Sequence, residues 1–271
     1  MDNIIDVKDL KRSFKTPKNG EFKAIKGIEF SVKEGEIFGL LGPNGAGKTT
    51  TIKILTTMLA PSEGSVKVLG FDTFHEAKKV RENINFVFGG ERSLYWRLSA
   101  RDNLAYFADL YKIPRKVQNE LIENLIKRVG LSEFIDKKVE TFSKGMKQRL
   151  QIARSLLNNP KIIFLDEPSI GLDPIGAKEL RELIKELAKD GVTILLTTHY
   201  MPEAEELCNR IAIIKKGELL ALDDVVGLQN LVSYERKEEI KAKKIREQEE
   251  RNKQNLEITL EDIYIELLGE K

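Results

Sequence analysis

The chain has 271 residues, 32% of them charged, a formal net charge of +2 and a single cysteine, Cys208. That length suits one large domain or two modest ones with a real core; the near-neutral charge argues against a general nucleic-acid-binding surface, and one cysteine excludes an internal disulfide framework and suits a reducing compartment. No apolar run approaches the roughly 20 residues that span a bilayer, and Met1-Asp2-Asn3 does not open a basic-then-apolar signal peptide, so a soluble chain with a buried Cys208 is expected.

The first 40 residues predict short strands, residues 4–7 pairing with the alternating run 24–32 across a connection marked by Pro17, Asn19 and Gly20. The apolar stretch 36–41 predicts a buried strand. It leads into Gly42-Pro43-Asn44-Gly45-Ala46-Gly47-Lys48-Thr49, and residues 50–58 have the composition of a helix start. A glycine loop between strand and helix turns backbone N–H groups around a polyphosphate and adds the positive end of the helix. Gly42, Pro43, Asn44, Gly45, Ala46, Gly47, Lys48, Thr49 and Thr50 are therefore candidate phosphate contacts. Lys48 is expected to reach the terminal phosphates as a catalytic cation, and the Thr49 hydroxyl to be a magnesium ligand.

Residues 65–69 and 84–88 read as further strands, the second running into Gly89-Gly90. From about 92 to 158 the pattern is mostly helical, with Leu121-Ile122, Leu125-Ile126 and Val129 at helical spacing and Gly130 as a C-terminal cap. Tyr95 and Trp96 stand at its start, either packed inside or exposed as a groove for a partner's helix. Residues 162–165 and 193–196 are apolar strand runs separated by the amphipathic stretch 176–189, which predicts parallel strands covered by helices. The first run ends in Asp166-Glu167-Pro168. Asp166 at the strand tip suits the metal shell beside Thr49, and Glu167 suits general-base work on an attacking water. Residues 210–214 and 219–221, with 215–218 between them, predict a closing hairpin. Residues 234–255 are nearly all charged, a solvated helix or a docking segment for a partner or lipid head groups, and 258–268 regain the spacing of a short amphipathic helix.

Together with Phe142-Ser143-Lys144-Gly145-Met146, Leu172-Asp173 and Thr197-Thr198-His199, these motifs resemble, in order and spacing over about residues 4–222, the nucleotide-binding subunits of ABC transporters. The resemblance implies an α/β fold: a P-loop NTPase (RecA-like) core with an N-terminal antiparallel β subdomain and an inserted α-helical subdomain at about 92–158. The nucleotide-binding domain would cover 1–222, with a charged helical extension over 223–271. ATP and Mg2+ are the implied cofactors and ATP hydrolysis the implied reaction. Ser143 also reads as the N-cap of the helix that follows it. The resemblance places Ser143 and Gly145 of one chain over the nucleotide of a second copy, or of a related ATPase subunit, in a head-to-tail dimer, and makes Asp173 a nucleotide-binding residue. It has His199 contacting the terminal phosphate and positioning Glu167, and Phe14 stacking on adenine. A separate integral-membrane permease is the implied partner, with this chain at the cytoplasmic face of the cell membrane.

Two departures stand out. Gly89-Gly90-Glu91 occupies the place of a usual glutamine, which puts a coupling contact in question, and Lys144-Gly145-Met146 stands where Gly-Gly-Gln is commonest. The Ser-Lys-Gly-Met form is similar to that of exporters, so export is the expected direction. The alternative, a soluble ABC ATPase acting on ribosomes or nucleic acid, usually carries two nucleotide domains or a coiled-coil insertion. This chain has one copy of each motif and no such insertion, so no specific nucleic acid is expected. A GTP-binding switch would need an Asn-Lys-x-Asp element, which is absent.

Overall fold

The structure is a computed structural model that describes residues 3–17, 20–89 and 94–231. Strands β1 (Asn3–Lys15) and β2 (Glu21–Lys33) pair antiparallel with Val7 opposite Phe30. Strand β1 is longer than its short apolar run predicts. The alternation breaks at Asp9, which sits at φ 44 where the register to β2 shifts between Val7 and Leu10. A bulge of this kind absorbs the extra residue and lets the strand continue, so β1 carries Phe14 on to face Phe22.

Strand β3 (Ile37–Leu41) leads through the glycine loop into α1 (Lys48–Leu55). This helix starts two residues earlier and ends three residues sooner than the run 50–58 suggests, because Thr57 turns left-handed at φ 65. Strands β4 (Glu63–Val68) and β5 (Phe71–Asp72), helix α2 (Ala77–Arg81) and strand β6 (Ile84–Val87) follow. The helical insertion comprises α3 (Ala100–Leu110), α4 (Arg115–Arg128) and α5 (Lys144–Leu156). On α4 the predicted face Ile122, Leu125 and Ile126 is buried, and Gly130 follows at φ 66, the left-handed geometry that ends a helix cheaply only at glycine. Strand β7 (Ile162–Asp166), α6 (Pro174–Lys189), β8 (Thr193–Thr198), α7 (Met201–Leu207) and the hairpin β9 (Arg210–Lys215) and β10 (Glu218–Asp223) complete the core.

The strands form two sheets, an antiparallel one in the order β2-β1-β4-β5 and a six-stranded one in the order β10-β9-β3-β8-β7-β6. In the second sheet every neighbouring pair from β9 to β6 is parallel and only β10 runs against its neighbour. Strands covered on both faces need apolar residues at every position. Accordingly Ile162, Ile163, Phe164, Ile194, Leu195 and Leu196 are all fully buried. One apolar cluster joins Ile5, Leu10 and Ile25 of the first sheet, Phe38, Phe164 and Leu195 of the second, and Ile52 of α1. Each such side chain contributes about 1.5–3 kcal/mol by leaving water.

Contacts divide the chain into two units, residues 1–225 and 226–271. The second is described only over 226–231, which belong mainly to the short helix α8 (Val225–Asn230). The charged stretch 234–255, the amphipathic stretch 258–268, and Gly90 and Glu91 of the altered loop lie outside the described residues.

Candidate functional site

In an open parallel sheet, ligands gather beyond the carboxyl ends of the strands. Here β3, β8 and β7 are adjacent, with Leu41 level with Thr198 and Asp166 level with Thr197. Gly42, His199 and Glu167 therefore leave three neighbouring strand ends, although the first two are 157 positions apart in sequence.

The glycine loop is held by backbone on several sides. A β-carbon on Gly42 would stand 2.1 Å from the Ile214 carbonyl oxygen, and one on Gly47, already at φ 109, 2.8 Å from the Ala24 oxygen. The Ala46 carbonyl accepts the Gly217 N–H at 3.0 Å, and the Gly217 carbonyl accepts the Lys26 N–H at 2.9 Å. The loop is thus clamped between β2 and the β9–β10 turn. Pro43, Asn44 and Gly45 face outward, Thr50 is half-buried, and Gly47, the residue before α1, offers no side-chain cap, leaving the first amides of the helix for an incoming anion.

Lys48 is 5% exposed. Its ammonium donates to the carbonyls of Gly42 at 2.7 Å and Pro43 at 3.2 Å, and lies 3.4 Å from Glu167 Oε1. The same Glu167 oxygen is 3.3 Å from His199 Nδ1. The Thr49 hydroxyl donates to the Asp166 carboxylate at 2.9 Å, and Asp166 is nearly buried. Lys48, Thr49, Asp166, Glu167 and His199 thus form one connected group.

Ser143, Gly145 and Asp173 lie outside that network. Ser143 caps α5 as its residue type predicts, its hydroxyl accepting the Met146 N–H at 3.2 Å. Asp173 caps α6, its carboxylate accepting the Gly176 N–H at 2.8 Å. A β-carbon on Gly145 would lie 3.6 Å from Gly176 Cα, so the two helix starts abut. Among the described residues no side-chain hydrogen bond or ion pair joins Ser143 or Asp173 to residues 42–50. Lys144 lies over Gly171, its Nζ 3.4 Å from where a β-carbon would be, so it lines the turn before α6. Phe14 is on the antiparallel sheet beside a shallow pocket shared with Thr16, Glu21 and Ser62, with the Arg12 guanidinium 4.7 Å from its ring centre. Tyr95 and Trp96 are both about half exposed rather than packed inside the helices; Lys147 Nζ stands 4.7 Å from the Trp96 ring centre, and Tyr95 packs edge-on against Tyr106.

Two further side chains had no role assigned from the sequence, although Thr197 lies within a quoted motif. Thr197 is fully buried, and its hydroxyl contacts the Asp166 carboxylate at the end of β7 and the backbone N–H of Glu167 just after it. Arg154 of α5 donates to the Phe86 carbonyl at 3.0 Å and lies 5.0 Å from the Phe107 ring centre, tying α5 to β6 and α3; burial lowers the pKa of its guanidinium.

A family model described as ABC transporter matches residues 25–170. The chain is 38% identical over 237 residues to the ABC transporter ATP-binding protein NatA of Bacillus subtilis, covering 88% of this chain and 95% of that one. It is 37% identical over 219 residues to the linearmycin resistance ATP-binding protein LnrL of the same organism, covering 81% and 68%. Some relatives are longer, and the chain spans 65% of one and 37% of another. Among solved structures, a dimeric post-hydrolysis state of an ATP-binding cassette bound to ADP and Pi aligns with a TM-score of 0.73 at 28% identity, covering 82% of this chain and 98% of that one.

Proposed function

The chain belongs to the ATP-binding, ATP-hydrolysing subunits of ABC transporters, and from that premise we propose that it works as an ATP-dependent head-to-tail dimer that drives a separate membrane-spanning permease in export. One observation carries the proposal: Glu167 stands within 3.4 Å of Lys48 and 3.3 Å of His199, at the strand end beside the Thr49–Asp166 pair. In this reading the terminal phosphate of ATP draws Lys48 away from the loop carbonyls. Glu167, released from the lysine, then accepts a proton from the attacking water, while His199 holds the Glu167 carboxylate and the phosphate in line. The transferring phosphoryl group needs positioning and charge stabilisation more than covalent chemistry, and a buried lysine with helix-start amides provides both. Thr49 and Asp166 fit a magnesium ion, because a hydroxyl and a nearly buried carboxylate 2.9 Å apart are the hard oxygen donors that ion takes. Bound there, it would neutralise phosphate charge.

The dimer has its own support. Ser143 and the α5 start are a second anion-binding end with no phosphate loop attached to it by hydrogen bonds, which a second copy's nucleotide would fill. Exposed Ile170 and Tyr200 line a pocket with Glu167 and His199, and Ile175 and Met201 are exposed at the adjoining starts of α6 and α7, an apolar rim suited to being covered. Among the described residues no helix is long and apolar enough to cross a membrane, and the pore belongs in this reading to a separate permease. Half-exposed Tyr95 and Trp96 suit docking of that partner. Export is favoured by the resistance function named for one relative.

The test is light scattering on Glu167→Gln with magnesium, with and without ATP. The expected result is hydrolysis lost and a monomer-to-dimer shift on ATP. A monomer with ATP demonstrably bound would overturn the shared site.

A further inference from the structure

Strand β8 is apolar and fully buried through Ile194, Leu195 and Leu196, and then places a hydroxyl at Thr197, also fully buried. A buried hydroxyl inside a sheet needs partners, and this one has two. Its single proton goes to Asp166 Oδ1, and its lone pair accepts the Glu167 N–H at 3.1 Å. The same N–H also reaches the Thr197 carbonyl oxygen at 3.1 Å. One side chain therefore touches both residues read above as metal-holding and catalytic.

Glu167 sits at φ 50, in the left-handed region. Side chains with a β-carbon occupy that region only where the surroundings hold them. The conformation turns Glu167 out of the strand line and toward Lys48 and His199. Among the described residues Asp166 would otherwise keep only the Thr49 hydroxyl, which stands 2.9 and 3.2 Å from its two oxygens. With that single partner the carboxylate could rotate about its own axis. The neighbouring Thr198 hydroxyl has a different task, accepting the Tyr200 N–H at 3.0 Å in the turn that carries His199.

We propose that Thr197 is a positioning residue whose hydroxyl orients the Asp166 carboxylate and holds Glu167 in its turned backbone conformation. The assignment rests on Asp166 and Glu167 having the roles given above. It acts through those residues rather than on ATP, so it belongs to turnover and not to nucleotide affinity.

The hydroxyl is separable from the fold, since valine has the shape of threonine and suits a buried strand. In Thr197→Val, kcat for ATP hydrolysis is expected to fall about 10- to 100-fold, while KM and the affinity for a fluorescent ATP analogue in EDTA stay within about three-fold, the pattern of a lost transition-state contact. Thr197→Ser keeps the hydroxyl and should recover most of the lost rate. Unchanged kcat in the valine variant, or a serine variant as slow as the valine one, would overturn the proposal, as would analogue affinity lost in step with kcat. A melting curve without nucleotide shows whether each variant folds. If valine does not fold, Thr197→Ser and Thr197→Ala make the same comparison at smaller volume, and equal rates in those two would overturn it. Glu167→Gln run in parallel separates the layers. Full hydrolysis there sinks the role of Glu167 itself, whereas an inactive Glu167→Gln beside a fully active Thr197→Val sinks only the positioning role.

Discussion

At the scale of single residues, the candidate site is built from charges whose partners are already in place. Lys48 has Gly42 O, Pro43 O and Glu167 Oε1 around its ammonium, so it is held in the loop before any phosphate arrives. Lys48→Ala removes that cation and leaves Glu167 with His199 as its remaining ion-pair partner among the described residues. The expected loss is about 10²- to 10³-fold in hydrolysis, the size seen when a charge-stabilising donor is removed, together with weakened ATP binding by calorimetry; unaltered binding would count against the phosphate loop. Cys208 shows the opposite design, a group kept neutral. Burial pushes its thiol up to about 12 from an ordinary 9.0, and the Glu203 carboxylate adds to the rise. A pKa raised in the folded state means that the unfolded chain ionises first. Its contribution to stability is therefore complete below pH 9.0 and is lost progressively as pH rises toward about 12. Thiol reagents should label Cys208 only at the rate of unfolding, and rapid labelling of the native protein would contradict the burial. Motif context along the chain pointed to Lys48, Thr49, Asp166 and Glu167 as candidates, and only the family resemblance pointed to His199. Neither assigned a role to Thr197, whose importance lies in what it touches.

At the scale of elements, two helix starts combine local structure with the proposed function. Ser143 caps α5 and Asp173 caps α6, so a mutation at either position changes a helix end as well as any nucleotide contact. The two effects can be parted. Asn caps nearly as well as Asp, so Asp173→Asn should leave the melting temperature near wild type, whereas Asp173→Ala should cost about 1 kcal/mol in denaturant unfolding. If Asp173→Asn also loses activity, the charge matters beyond the cap. Ser143→Arg should abolish hydrolysis while monomer ATP binding persists; unaltered hydrolysis would refute the dimer role of α5. The buried strands β3, β7 and β8 were legible as apolar runs, and α4 and α6 as periodic ones, because burial on two faces or one leaves that trace in composition. Strand β1 was legible only to residue 7, since the Asp9 bulge breaks the alternation that marks a strand. The early start of α1 depended on the loop's path and not on helix-forming composition.

At the scale of the molecule, the exposed apolar rim of Ile170, Ile175, Tyr200 and Met201 bears on assembly. A charge placed there by Met201→Glu should weaken ATP-driven dimerisation of Glu167→Gln in light scattering while ATP binding stays intact; an undiminished dimer would place the interface elsewhere. The sequence by itself determined the chemical groups present, their order along the chain, and the strand-and-helix rhythm that makes an α/β core. Those are local properties, set by residue type and by the period of burial. Only the tertiary structure decided which strands are neighbours. The order β10-β9-β3-β8-β7-β6 is not the chain order, and pairing β3 with β8 and β8 with β7 is what brings residues 48, 167 and 199 together. The left-handed turn at Glu167 and the hydroxyl bridge from Thr197 belong to the same level. Both depend on hydrogen bonds between segments some 30 residues apart, and no local pattern of residues encodes such a contact.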